Sequence, residues 1–364
     1  MRIDRDFPGG NIQVNRIEGD DVYLEQEIRD TTEWWFYWAF RVTGAQGRTL
    51  TFHFENRDVV GYWGPCVSTD DKAYAWAGAA SRPDGHTFTH TFGPQDACVY
   101  FRYAWPYQLS TFDAWCNAQT APMRRGTLCT TERGRALPYV VIGDARAPRS
   151  IFFTSRHHAC ESMGTHALIG AADRLIARLG EITARGYNLI VVPLIDLDGV
   201  EDGDQGKSRA PHDHNRDYID EPVYAVIRAM RGLVREHPPE AFVDFHCPWF
   251  LGQENDHLYL VKADPDKYAI FDAFGGLLIA ETARDPAPDA IRYDGKWDVR
   301  AGEKWLTPEP NPATSSSFFW RSGARFALSI EVPYFGIDTV FTDCNVHALG
   351  GHVADALLTW LGNQ

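Results

Sequence analysis

From residue 140 onward short apolar runs are separated by polar stretches, and two of the intervening segments have helical spacing. The runs are Val140-Val141-Ile142, Ile151-Phe152-Phe153, Asn188-Leu189-Ile190-Val191-Val192-Pro193, 241–246 and 326–331. They are short and almost uniformly apolar, which suits strands buried on both faces. Between them, Leu168, Ala171, Leu175 and Leu179 within 163–180 fall at helical spacing, and 221–236 also reads as helix. Strands alternating with helices imply a mostly parallel or mixed sheet with helices on both faces. Ligands in such sheets sit beyond the carboxyl ends of strands. His246 and Glu331 each end an apolar run.

The front of the chain is different. Up to about Trp115 it is rich in aromatic and β-branched residues, as in 34–42 and 49–54, with Gly and Asp as punctuation. No amphipathic helix is expected there. The fold class that follows is α/β: an N-terminal antiparallel β-sandwich over 1–125, then a mixed-sheet α/β domain over 126–364. The Trp and Phe clusters at the front read as sandwich core rather than as a ligand surface. Residues 283–317, with several Pro and Ser, read as a long functional loop.

Composition limits the partners. The formal net charge of -14 argues against nucleic acid and anionic membranes, both of which need basic patches. No apolar run approaches the roughly 20 residues that cross a bilayer, and Met1–Asp6 has no signal-peptide core. The 7 cysteines are scattered without a C-x-x-C pair, so reduced thiols and a cytoplasmic location are expected. Nothing here fixes the oligomeric state.

The chemistry-bearing residues follow in order: His158 and Glu161 in a His-x-x-Glu pair, Asn215-Arg216 in a polar loop, then His246 and Glu331. Two imidazoles and a carboxylate can hold a catalytic zinc with one position open for water. A further carboxylate can serve as base, and an Asn-Arg pair can hold an anionic group. Asp244 alternates to the same side as His246 and can orient its ring. Cys160 and Cys247 read as space-fillers, and His212 and His214 as supports within the loop. That loop, 198–216, lacks the glycine spacing of an EF-hand. No G-x-S-x-G elbow supports a serine hydrolase.

Together these residues resemble the zinc carboxypeptidase family, and its cytosolic carboxypeptidase branch in particular. The matching positions are His158 and Glu161, Asp196-Leu197-Asp198-Gly199, Asn215-Arg216, His246 and Glu331, with Gly323 upstream of the last. The stretch 99–107, ending in Pro106-Tyr107, is similar to the end of that branch's N-terminal sandwich. The departures are Ala159-Cys160 for Pro-Gly, Asp196-Leu197 for Asn-Pro, and His214 for Leu. The resemblance implies one Zn2+ per chain on His158, Glu161 and His246, with Glu331 as base. It implies Lys207 or Arg209 as the cation that polarises the scissile carbonyl. It further implies Asn215 and Arg216 as the grip on the terminal carboxylate of a peptide or protein tail. Arg321 is a candidate for favouring an acidic end. The family's mobile tyrosine has no evident counterpart. The rival readings are an acyl-amino-acid deacylase or cell-wall peptide amidase on the same scaffold, and a non-catalytic peptide-binding module.

Overall fold

The computed structural model describes residues 1–363. The apolar runs pair into an eight-stranded mixed sheet. Four strands run parallel at its centre, in the spatial order Tyr187–Val192, Arg149–Ser155, Pro239–His246 and Phe326–Glu331. Antiparallel neighbours extend it on both sides. Ala136–Ile142 and Met123–Thr130 lie on one side; Tyr259–Lys262 lies on the other, with the short Val299–Arg300 parallel to it at the edge.

Every residue of 239–246 and 326–331 is buried, because helices cover both faces. Phe242 stacks on Phe319 of helix Ser315–Arg321 at 3.8 Å. On the opposite face Phe326 meets Phe274 of helix Tyr268–Arg284 and Trp360 of helix Asp343–Gly362. Helices Ser162–Ala177 and 343–362 cross at backbone contact. A Cβ at Gly170 would strike the His347 carbonyl, and one at Gly350 the Ala167 carbonyl. Only glycine allows so close a crossing.

The front of the chain forms two facing sheets. One is antiparallel throughout, in the order Arg2–Asp4, Ala39–Thr43, Cys98–Arg102, Cys66–Ser68, Ala75–Trp76. The other runs Gln13–Glu18, Asp21–Glu25, Thr49–Phe54, Thr87–Thr91. Phe40 and Phe101 from the first meet Phe52 and Phe88 from the second, with ring centroids between 5.3 and 6.3 Å. Burying each such ring contributes about 1.5–3 kcal/mol.

Two details differ from the sequence reading. Strands 21–25 and 49–54 pair in parallel, because 39–43 between them crosses to the other sheet; side-chain alternation carries no information about strand direction. A helix, Leu109–Ala118, lies where none was expected. It buries Phe112 and Cys116, but Gln108 at its start makes no side-chain cap and its first turn holds no acid, so the usual start signals are missing. The first strand of the large sheet begins at Met123, so a division after residue 125 falls within that strand.

The two halves share one continuous core. Phe36 and Tyr103 of the sandwich pack on Phe250 and Tyr334 of the α/β half, at 4.8 to 5.9 Å between centroids.

Candidate metal centre

Three neighbouring strand ends build the site. After strand 149–155 the chain turns sharply at Arg156, a buried residue with φ of 59°. Such a left-handed non-glycine conformation costs about 1–3 kcal/mol and persists only where the surroundings impose it. Here the Arg156 guanidinium donates to the Ala159 carbonyl at 2.8 Å and to the Tyr107 carbonyl at 3.1 Å. The turn delivers His158, and Glu161 follows at the start of helix 162–177. His246 ends its strand, and Glu331 is its register partner on the next.

His158, Glu161 and His246 are all buried, and their ligand atoms lie within 4.8 Å of one another. Nδ1 of His158 is 2.8 Å from Oε1 of Glu161, and Nδ1 of His246 is 2.8 Å from Oε2. The far ring nitrogens turn to carboxylates behind them: His158 Nε2 is 3.5 Å from Asp213, and His246 Nε2 is 2.9 Å from Asp244. A histidine with one nitrogen toward a centre and the other backed by a carboxylate is the usual arrangement of a metal ligand. Glu331 Oε2 is buried with no hydrogen-bond partner. Leaving such an oxygen unpaired costs about 1–3 kcal/mol, and a water beside the metal would satisfy it. The donor set fits zinc: two imidazole nitrogens and one carboxylate.

The electrostatics divide the two glutamates. Burial pushes the Glu161 carboxyl upward, but His158, Lys207 and His246 outweigh it and hold it well below the usual carboxylate range. Burial pushes Glu331 up, opposed by His246 and assisted by Glu161, and the net shift is upward. The first suits a permanent anion facing a cation, and the second a group that exchanges protons.

The loop from 203 to 216 brings in the remaining groups. At Gly206, φ is +83° and a Cβ would collide with the Ala159 backbone, so the loop lies directly on the turn carrying His158. Lys207 Nζ reaches Glu161 Oε1 at 2.7 Å and lies 5.3 Å from the Trp35 ring centre. Arg209 is not at the centre. Its guanidinium is taken by Asp196 at 2.7 Å, Asp30 at 3.0 Å and Asp204 at 3.2 Å. Of the two cations expected to compete for the carbonyl, only Lys207 meets the metal-binding set.

Asn215 lies with its amide nitrogen 3.5 Å from His246 Nε2, while its oxygen accepts from the Ser315 amide at 2.9 Å. Arg216 follows, half-buried, donates to the Asn215 carbonyl, and is in no ion pair among the described residues. Arg321 ends helix 315–321 and is exposed, while Ser315 at the other end donates to Asp244 behind His246. Six residues of helix place them about 9 Å apart along the axis. His214 stacks on Tyr224 at 3.8 Å, and His212 bonds Asp217 at 2.7 Å, so neither faces the centre. Cys160 is adjacent, but burial pushes its thiol up to about 11, and it meets the Tyr334 hydroxyl at 3.6 Å.

Sequence reasoning singled out Asp244 behind His246 but missed the groups that gather around it. Asp244 accepts from Thr154 at 2.8 Å, Ser315 at 2.5 Å, and His157 at 3.0 Å, besides His246. His157 Nε2 meets the Tyr218 hydroxyl at 2.9 Å. The register of 149–155 against 239–246, which pairs Thr154 with Asp244, was the signal that could have grouped them.

Comparison with known proteins agrees with this geometry. Residues 3–104 match the family model described as cytosolic carboxypeptidase N-terminal domain, and 114–246 the one described as zinc carboxypeptidase. An uncharacterized protein of Zymomonas mobilis is 26% identical over 260 residues, covering 67% of this chain and 66% of its own length. Cytosolic carboxypeptidase 2 of Xenopus tropicalis is 20% identical over 297 residues, 75% of this chain but 30% of that protein. The chain thus spans about a third of the cytosolic carboxypeptidase 2 proteins it matches and 15% of cytosolic carboxypeptidase 1 of Xenopus laevis. Among solved structures, a metallo-carboxypeptidase from Burkholderia cenocepacia shares the fold at TM-score 0.80 and 20% identity, covering 100% of this chain and 99% of its own. One from Pseudomonas aeruginosa, in complex with (2-guanidinoethylmercapto)succinic acid, does so at TM-score 0.81 and 19% identity, with the same coverage. Two family models matched in succession, whole-chain likeness of fold and a two-histidine, one-glutamate centre at the strand ends lead to one assignment: the chain belongs to the zinc carboxypeptidase family and carries the N-terminal domain of its cytosolic branch.

Proposed function

We propose that the protein is a zinc metallocarboxypeptidase that removes the terminal residue from a peptide or protein tail. One observation carries the reading: the Nδ1 atoms of two histidines face the two oxygens of Glu161, with the unpaired oxygen of Glu331 on the adjoining strand. His158, Glu161 and His246 would hold one zinc, which supplies Lewis acidity and lowers the pKa of water. Glu331 takes a proton from the attacking water and passes it to the leaving amine. Lys207 turns its ammonium from Glu161 to the oxyanion that develops on the scissile carbonyl. Asn215 presents its amide and Arg216 its guanidinium to the terminal carboxylate, which fixes the bond that is cut.

An acidic terminal preference was attached to Arg321, and with that residue exposed at the far end of its helix the reading carries no such preference. Unpaired cysteines throughout suit a reducing compartment, and we place the enzyme in the cytoplasm; no described helix is long and apolar enough to cross a membrane.

The test is a pair of peptides that differ only in a free or amidated C-terminus. A charge-assisted hydrogen bond contributes about 1.5–3 kcal/mol, so amidation lowers kcat/KM at least about tenfold. Arg216→Ala produces a similar loss on the free acid and little more on the amide. Equal cleavage of both peptides by the wild type would reject the exopeptidase reading and favour a deacylase or amidase on the same zinc site.

A further inference from the structure

Behind the ligands lies a buried chain of polar groups that the proposed chemistry does not use: Tyr218, His157 and Asp244. All three are buried, with side chains of Asp244 and His157 fully so. Asp244 receives two donors on each oxygen. Thr154 and His157 reach Oδ1; Ser315 and His246 reach Oδ2. A carboxylate has about four lone-pair sites, so the residue is saturated.

The proton positions then follow. For His246 to present a lone pair at Nδ1, its proton must sit on Nε2, where it is donated to Asp244. For His157 to donate to the same carboxylate, its proton must sit on Nδ1, which makes Nε2 an acceptor. The Tyr218 hydroxyl, 2.9 Å away, supplies the donor that this acceptor needs. These tautomers are assigned from the partners each nitrogen meets. With this assignment Tyr218, His157 and Asp244 are all paired, while the Asn215 amide nitrogen, 3.5 Å from His246 Nε2, is a second donor beside that N–H and not its partner.

The same contact has a mechanical side. His157 immediately precedes His158 on the strained turn at Arg156, while Asp244 lies two residues before His246 on the neighbouring strand. The His157–Asp244 bond therefore ties one ligand-bearing segment to the other.

We infer that His157, held by Tyr218, is a positioning residue of the metal centre: it aligns Asp244 to fix the His246 tautomer and ties the segment bearing His158 to the strand bearing His246. This rests on the zinc site proposed above. Removing an outer partner of a ligand typically lowers metal affinity about 10–100-fold.

The experiment measures zinc content and zinc dissociation constants, by competition with a chromophoric chelator, for the full chain and three variants. His157→Leu weakens zinc by about 10–100-fold. His157→Asn, whose amide nitrogen is as far from Cα as Nδ1 is, regains most of the loss. Tyr218→Phe, which removes one oxygen, weakens zinc in the same direction by a smaller factor. A packing role would make Leu and Asn equivalent. Wild-type affinity in His157→Leu, or no advantage of Asn over Leu, overturns the inference. If His157→Leu does not fold, Tyr218→Phe decides, and unchanged affinity there overturns it. Two zinc ions in the wild type and one in His157→Leu also overturn it, since His157 would then be a ligand. No zinc in the wild type rejects the site itself, whereas tight wild-type binding with unchanged variants removes only the role of His157.

Discussion

Glu331 and Lys207 are the residues whose substitution separates chemistry from assembly. Glu331→Gln keeps the shape and removes the base, so zinc content stays at one per chain while turnover falls at least about a hundredfold. Full metal occupancy in His246→Ala would remove that histidine from the centre; the expected result is loss of metal with the fold retained. Lys207→Ala should lower kcat by about 10²–10³, the range for loss of an oxyanion donor, with KM little changed. Arg209→Ala should instead lower the melting temperature, because it strands Asp196, Asp30 and Asp204 around an empty place. As candidates, His246 and Glu331 were legible in the sequence because each ends an apolar run, and His158 and Glu161 because of their His-x-x-Glu spacing. The choice between Lys207 and Arg209 was not. Their different placements follow from Gly206, which lets the loop lie on Ala159, and from an aspartate almost 180 residues away in the chain that takes the Arg209 guanidinium.

That aspartate shows how an element of one half controls the other. Asp30 accepts the backbone amides of Gln205 and Gly206 at 3.0 and 2.8 Å, at the base of the loop that carries Lys207. Asp30→Ala should leave zinc content unchanged and lower kcat, as the loop loses its anchor; equal kcat in wild type and variant would show that the loop holds itself. Helix 162–177 gives a pH prediction. His166 donates to the Pro106 carbonyl at 3.2 Å, and burial lowers its pKa from 6.5 to about 4. Between those values the unfolded chain takes up a proton that the folded chain does not. The contribution is therefore complete above 6.5 and is lost as pH falls toward about 4. Denaturant unfolding at several pH values should show a shallower acid loss in His166→Gln than in the wild type. Periodicity revealed this helix and 225–236. It did not reveal 109–118, whose end signals are missing, nor 268–284, where Phe271, Phe274 and Leu278 are buried among other apolar residues that blur the pattern.

At the scale of the whole molecule, the α/β class and the sandwich before it were legible because composition changes between them. The joint was not, since aromatic residues on both sides look like core in either half. Phe36, Tyr103, Phe250 and Tyr334 close that joint, and Trp34, Trp35 and Phe36 crowd around Trp249. Heat should therefore unfold the chain in one transition, with calorimetric and van't Hoff enthalpies equal. Two resolved transitions would show that the halves are separately stable. The joint also bears on inheritance. A gene that kept this sandwich but took its second half from another family member would encode two sound domains. It would nevertheless pair Asp30 and Trp35 with a loop they were never fitted to. Recombination between residues 104 and 114 should thus yield soluble, zinc-loaded and sluggish enzymes, and their repair should come from changes in the sandwich rather than at the metal.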